Sequence, residues 1–237
     1  MTHIPKKVHI VWNHKEVINS DHPLITNGLH NLIKLNPDWK VTIYTPEEIE
    51  EDLKHALSDD DYNLIKNRHF VSKIDLWRLF KMYFEGGFYM DIDRPYNIPL
   101  SNIIDEDTRW VVPTSLDYDI TCDFLLSAPK NPAFYTGIQM YLQRVREGHT
   151  SQYFLGPQTY MHAVTYTLLG EEVNTNPGIE KMNLIRDKFK EMEFIKTYRE
   201  VPPNDTIIYK GNIGDELEVL KRDFYAKEGI KHWTGEW

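Results

Sequence analysis

Residues 70–93 constrain the fold of this chain more than any other stretch. Between Phe70 and Phe84 the apolar positions Ile74, Leu76, Trp77, Phe80 and Tyr83 or Phe84 recur with the period of a helix. Gly86-Gly87 stops that helix, and Phe88-Tyr89-Met90 runs as a strand straight into Asp91-Ile92-Asp93. A glycine pair permits a tight turn and close backbone packing, so the helix can fold back over the strand. Pro95 and Pro99 then deny the sheet further continuation.

The flanking segments supply the rest of an α/β architecture. Residues 8–12 (Val-His-Ile-Val-Trp) read as a first buried strand, bounded by Pro5 and Asn13-His14. A helix is predicted over 23–35, with Leu24, Leu29, Leu32, Ile33 and Leu35 on its apolar face and Asn36-Pro37-Asp38 as its stop. Residues 41–44 form a second strand, and Thr45-Pro46-Glu47-Glu48 opens a helix with an N-cap Thr, a first-turn Pro and a Glu three residues after the cap. Later strands are expected at 110–112, 122–128 and 207–209, and helices at 133–146 and 158–169, the second after Gly156-Pro157. Residues 171–206 carry no assignable pattern, and a polar segment closes the chain. Alternating strands and helices predict an α/β sheet.

Composition narrows the class. The 237 residues are 41% hydrophobic and 27% charged, the balance of a soluble domain able to bury a substantial core. No stretch approaches the roughly 18 apolar residues of a membrane span, and the polar start before the first strand does not read as a secretory signal. A single cysteine, Cys122, excludes an intramolecular disulfide and fits a reducing compartment, so a cytoplasmic location is expected. The net charge of −9 weighs against nucleic-acid binding. An anionic ligand would then need locally concentrated positive charge, which a divalent cation can supply.

Aspartates at i and i+2 project to the same side of an extended backbone, and two close carboxylates call for a cation or proton between them. Oxygen ligands of this kind suit Mg²⁺ or Mn²⁺. Taken alone the pair reads equally as solvated loop residues. Asp75 and Arg78 lie three apart on the preceding helix and share a face. They are either a surface ion pair or, with the helix folded back, the lining of the cleft that holds Asp91 and Asp93.

These motifs resemble the family-32 glycosyltransferases, defined by a sugar-binding region containing a DXD motif. The likeness runs through residues 4–12, Asp75-Leu76-Trp77-Arg78, the run from Gly86 to Asp93, Gly156-Pro157 and the closing residues 231–237. More distantly, the central arrangement is similar to that of clostridial glucosylating toxin domains. The resemblance implies a GT-A type fold: a Rossmann-like mixed sheet flanked by helices in one domain, with the nucleotide half at about residues 1–100 and the acceptor half at about 101–237. It implies sugar transfer from a nucleotide-diphosphate donor, with UDP the commonest nucleotide among such relatives, to a glycan or other hydroxyl acceptor. It further implies retention of configuration and a role in surface polysaccharide synthesis.

By the same resemblance Asp75, Arg78, Asp91 and Asp93 are the catalytic set. Trp12 would stack on the nucleobase, Asp75 and Arg78 would meet sugar hydroxyls, and Trp237 would donate to the diphosphate. Asp93 and His232 would ligate the metal, while Asp91 would hold either the metal or the ribose or sugar. Judged by position alone, Trp12 is core, although its place before Asn13-His14 would leave one face exposed. Departures from the family pattern are Arg94 after the Asp pair, Leu155 before Gly-Pro and Glu236 before the final Trp. Competing readings are a metal-dependent phosphodiesterase and a non-catalytic carbohydrate-binding domain.

Overall fold

The computed structural model describes residues 3–112, 120–170, 184, 195–197 and 214–231. Among the described residues six strands form one mixed sheet in the order β2-β1-β3-β5-β4-β6. Strand β1 (Lys7–Val11) runs parallel to β2 (Lys40–Tyr44) on one side and to β3 (Gly87–Met90) on the other. Beyond β3 the direction reverses: β5 (Phe124–Ser127) is antiparallel to β3 and to β4 (Trp110–Val112). Strand β6 (Ile195–Thr197) pairs parallel with β4. It falls in the stretch that carried no assignable pattern. The predicted strand at 207–209 lies outside the described residues.

The strands alternate their side chains between two cores, as the two-residue period of a buried sheet requires. Tyr89 and Leu125 face a cluster with Leu76, Trp77, Phe134 and Tyr160, supplied by helices on that side. Phe88, Met90, Phe124 and Leu126 face the opposite cluster with Leu29, Leu32, Tyr96 and Phe224. On the first face lie α3 (Pro46–Ala56), α5 (Phe70–Phe84), α6 (Pro132–Arg146) and α8 (Pro157–Leu169). Helix α3 begins as the sequence predicts, with the Glu48 carboxylate accepting from the Thr45 N–H at 2.9 Å.

The predicted helix at 23–35 exists, in three pieces. α1 (Pro23–Ile25) and α2 (Asn31–Leu35) flank one widened π turn, Thr26–His30. That turn brings Gly28 against the backbone after β3, where an added Cβ would lie 2.4 Å from the Arg94 carbonyl oxygen. The Tyr96 N–H donates to the Asn27 carbonyl at 2.8 Å. Periodicity sees a helix here and does not see the bulge.

The glycine pair performs the predicted turn. Gly86 and Gly87 have φ of +62° and +97°, left-handed conformations that a side chain disfavours. A Cβ on either would also press on backbone oxygens of Ser127 or Lys7. His9 is buried, and its Nε2–H donates to the Gly86 carbonyl at 2.9 Å. Burial keeps its pKa below the usual imidazole value.

Three α-helices among the described residues escaped the sequence pattern: α4 (Asp59–Ile65), capped by Ser58, the short α7 (Gln152–Leu155), capped by Ser151, and α9 (Gly214–Lys227) within the closing polar segment. No helix among the described residues is long and apolar enough to cross a membrane.

Candidate active site

The parallel strands β1, β2 and β3 point their C-terminal ends the same way, and the sheet changes direction beside β3. The crevice outside such strand ends is where open α/β sheets bind ligands. Asp91 and Asp93 follow β3 directly into this crevice.

Their backbone does not stay extended. It turns at once, with the Arg94 N–H donating to the Asp91 carbonyl at 3.2 Å. The extended backbone that would set both carboxylates on one side is therefore not formed here, and the two carboxylates meet different partners. Asp91 turns toward α5: its Oδ1 accepts from the Tyr89 hydroxyl at 2.7 Å and lies 3.5 Å from Arg78 Nη1. Asp93 turns toward the C-terminal helix: its Oδ2 lies 2.9 Å from Lys221 Nζ.

Helix α5 carries Asp75 and Arg78 beneath this turn, both buried, with Nη2 to Oδ1 at 2.5 Å. This is no surface pair. Arg78 also donates to the Cys122 carbonyl at 2.7 Å and lies 4.8 Å over the Tyr89 ring. One guanidinium thus ties α5, β3 and the entry to β5 together. Burial pushes the Asp75 carboxyl up to about 6, against the pull of Arg78 and with a further push from Asp91. Asp91 is raised as well, chiefly by burial. At neutral pH Asp75 is then close enough to its pKa to accept a hydrogen bond or, when protonated, to donate one.

Gly156, the residue before α8, backs directly onto the Asp75 carboxylate. The Gly-Pro element singled out in the sequence therefore reaches the site through Asp75. Leu155 is core. Arg94 places its Nε 3.0 Å from Asp123 Oδ2 and 3.7 Å from Asp93 Oδ1.

Trp12 requires a correction. It is only 6% exposed, stacked on Phe224 of α9 at 5.0 Å between ring centroids and edged by Tyr225 at 5.5 Å. The exposed face expected from its position is absent in this arrangement. His232, Trp237 and Glu236 lie outside the described residues.

Two site residues had no signal in the sequence. Asp123 arrives because β5 runs antiparallel to β3, and its carbonyl accepts from the Asp91 N–H at 2.9 Å. Its Oδ1 is buried without a hydrogen-bond partner among the described residues. Lys221 arrives on α9, from a segment that reads only as polar.

Among the described residues no three imidazole, thiol or carboxylate groups gather to hold a metal by themselves. The donor set nevertheless suits a hard cation that arrives with phosphate. Such ions need only one or two carboxylates, the rest of the shell being phosphate oxygens and water. Asp93 already draws an ammonium, and the buried Asp123 Oδ1 beside it lacks a donor.

The mixed sheet with Asp91 and Asp93 at the end of β3 is similar to a glycosyltransferase fold. Residues 22–110 match the family described as "Glycosyltransferase sugar-binding region containing DXD motif", a span that includes Asp91-Ile92-Asp93. The chain is 23% identical over 141 residues to inositol phosphoceramide mannosyltransferase 1 of Schizosaccharomyces pombe, a match covering 58% of this chain and 43% of that protein. The chain therefore spans less than half of that relative. In three dimensions it is similar to the PaToxG glycosyltransferase, with a TM-score of 0.51 and 16% identity over 70% of this chain and 71% of that one. At that identity the likeness speaks for the fold.

Proposed function

We propose that the chain moves a sugar from a nucleotide-diphosphate donor to a hydroxyl of a glycan or similar acceptor, with a divalent metal at Asp93. The observation that carries this reading is the buried Arg78, bonded to Asp75 and adjacent to Asp91 at the end of β3. A cation and two carboxylates fixed in a crevice match a hydroxyl-rich, anionic ligand.

Asp93 would hold the metal, with His232 as a further ligand and Asp91 facing ribose or sugar. Mn²⁺ or Mg²⁺, when bound, would neutralise charge on the departing diphosphate. Asp75 and Arg78 would orient sugar hydroxyls, and Arg94 supplies positive charge beside the same anion. Trp237 would close over the diphosphate. Retention of configuration follows the family resemblance, and in that case the leaving phosphate can accept the acceptor's proton on the same face. UDP is the first nucleotide to test. The mannosyltransferase relative argues for including mannose donors. A cytoplasmic enzyme of surface-glycan synthesis is the setting we favour.

The test is nucleotide release from a panel of UDP- and GDP-sugars with MnCl₂. Release from one donor, lost on chelation, is the expected result. Donor binding without release on any acceptor would favour the carbohydrate-binding reading and overturn this one.

A further inference from the structure

We propose that Lys221 is a donor-site residue: it balances Asp93 in the free chain and passes to the diphosphate when a metal takes Asp93. This rests on the donor reading above and adds a residue to it.

The ammonium of Lys221 is held deep in the crevice. Its side chain and that of Asp93 are each 10% exposed, with Nζ 2.9 Å from Oδ2. Tyr225, one helical turn further along α9, also hydrogen-bonds Asp93. Arg94 approaches Asp93 at its other oxygen, so Lys221 is placed at Oδ2.

The helix that carries it is anchored on both sides of this contact. Phe224 is fully buried and stacked on Trp12, and Leu217 is in the same core cluster. Asp223 lies 2.9 Å from His22, and Glu228 lies 2.7 Å from His14. The backbone of Lys221 is therefore held beside Asp93 by the packing of α9.

A divalent ion on Asp93 would add a third cation to a carboxylate already approached by Lys221 and Arg94, and like charges repel at this separation. The ammonium sits on a flexible four-carbon stem and can swing while its Cα stays fixed. The anion entering with the metal is the diphosphate, a strong acceptor of charge-assisted hydrogen bonds. Lys221 thus opposes the bare metal and favours the metal together with the diphosphate.

The two effects have opposite signs, which makes the assignment testable by calorimetry on the full chain. MnCl₂ alone is titrated first, then UDP or GDP at saturating MnCl₂, for the wild type, Lys221→Met and Lys221→Gln. Gln keeps a hydrogen bond to Asp93, and so the packing, without the charge. Both variants are expected to bind Mn²⁺ alone ~3-fold or more tighter, and to bind the nucleotide ~10-fold weaker. Variants in which the two affinities do not move in opposite directions overturn the assignment. A wild-type chain that binds neither nucleotide overturns the donor reading and this one with it. Nucleotide binding that both variants leave unchanged overturns only the role of Lys221.

Discussion

Gly156 and Asp75 share a space that holds no further atom: a Cβ on Gly156 would lie 2.0 Å from Asp75 Oδ2 and 2.4 Å from its Cγ. The carboxylate cannot retreat easily, because Arg78 grips Oδ1 at 2.5 Å and the whole pair is buried. Gly156→Ala is therefore expected to push Asp75 off Arg78 and to cost about 2 kcal/mol or more through overpacking. Donor turnover should fall with it. Urea denaturation beside the nucleotide-release assay checks this, and wild-type stability in the variant would refute the contact.

Arg78 is the only cation shown within ion-pair distance of Asp75 among the described residues. Arg78→Met leaves a buried carboxylate unpaired, a change that costs about 3 kcal/mol. The loss depends on pH. With the guanidinium gone the Asp75 pKa climbs above its present value of about 6, so the penalty is largest at alkaline pH and shrinks as acid neutralises the carboxyl. Arg78→Lys should recover only part of the stability, since an ammonium cannot reach Asp75 and the Cys122 carbonyl together. Urea midpoints for the three proteins at pH 5 and pH 8 test the order.

Asp93→Asn is expected to abolish metal-dependent donor hydrolysis and transfer while the chain stays folded. The amide is nearly isosteric and can still accept from Lys221, so the stability change should stay within about 2 kcal/mol. Turnover that survives in this variant and still requires metal would remove Asp93 from the metal site. Metal titration followed by tryptophan fluorescence gives a readout independent of turnover.

What the sequence made legible is what local chemistry decides. Helix α5 and the Gly86-Gly87 turn could be read because periodicity and left-handed backbone demands act within a few residues. The meeting of Arg78 with Asp91 followed from that turn. Helix α9 could not be read, because Leu217 and Phe224 stand among charged neighbours and find their purpose only on Trp12. The same packing explains why Trp12 is covered where its sequence position suggested an open face. Asp123 enters through antiparallel pairing of β5 with β3, a long-range choice that no spacing encodes. The bend at Asp91, where the Arg94 N–H donates to the Asp91 carbonyl, is a turn that the spacing of the Asp pair does not encode.

His162 offers a test away from the crevice. Its ring is buried in α8, its Nδ1 accepts from Arg144 Nη2 at 2.5 Å, and Nε2 has no hydrogen-bond partner among the described residues. Arg144 also donates to the Phe154 carbonyl at 3.0 Å and to Thr159 at 2.8 Å, fixing the segment that leads into Gly156. Burial, with the adjacent guanidinium, pushes the imidazole down to about 4. An unfolded histidine titrates near 6.5, so between roughly pH 6.5 and pH 4 the unfolded chain binds the extra proton first. Stability contributed by the neutral ring is fully present above 6.5 and is lost as pH falls through this window, by about 3 kcal/mol. His162→Gln should flatten that slope while leaving the other acid-sensitive groups in place. Urea midpoints from pH 7 to pH 4 provide the measurement, and parallel curves for the two proteins would show that His162 is protonated without cost.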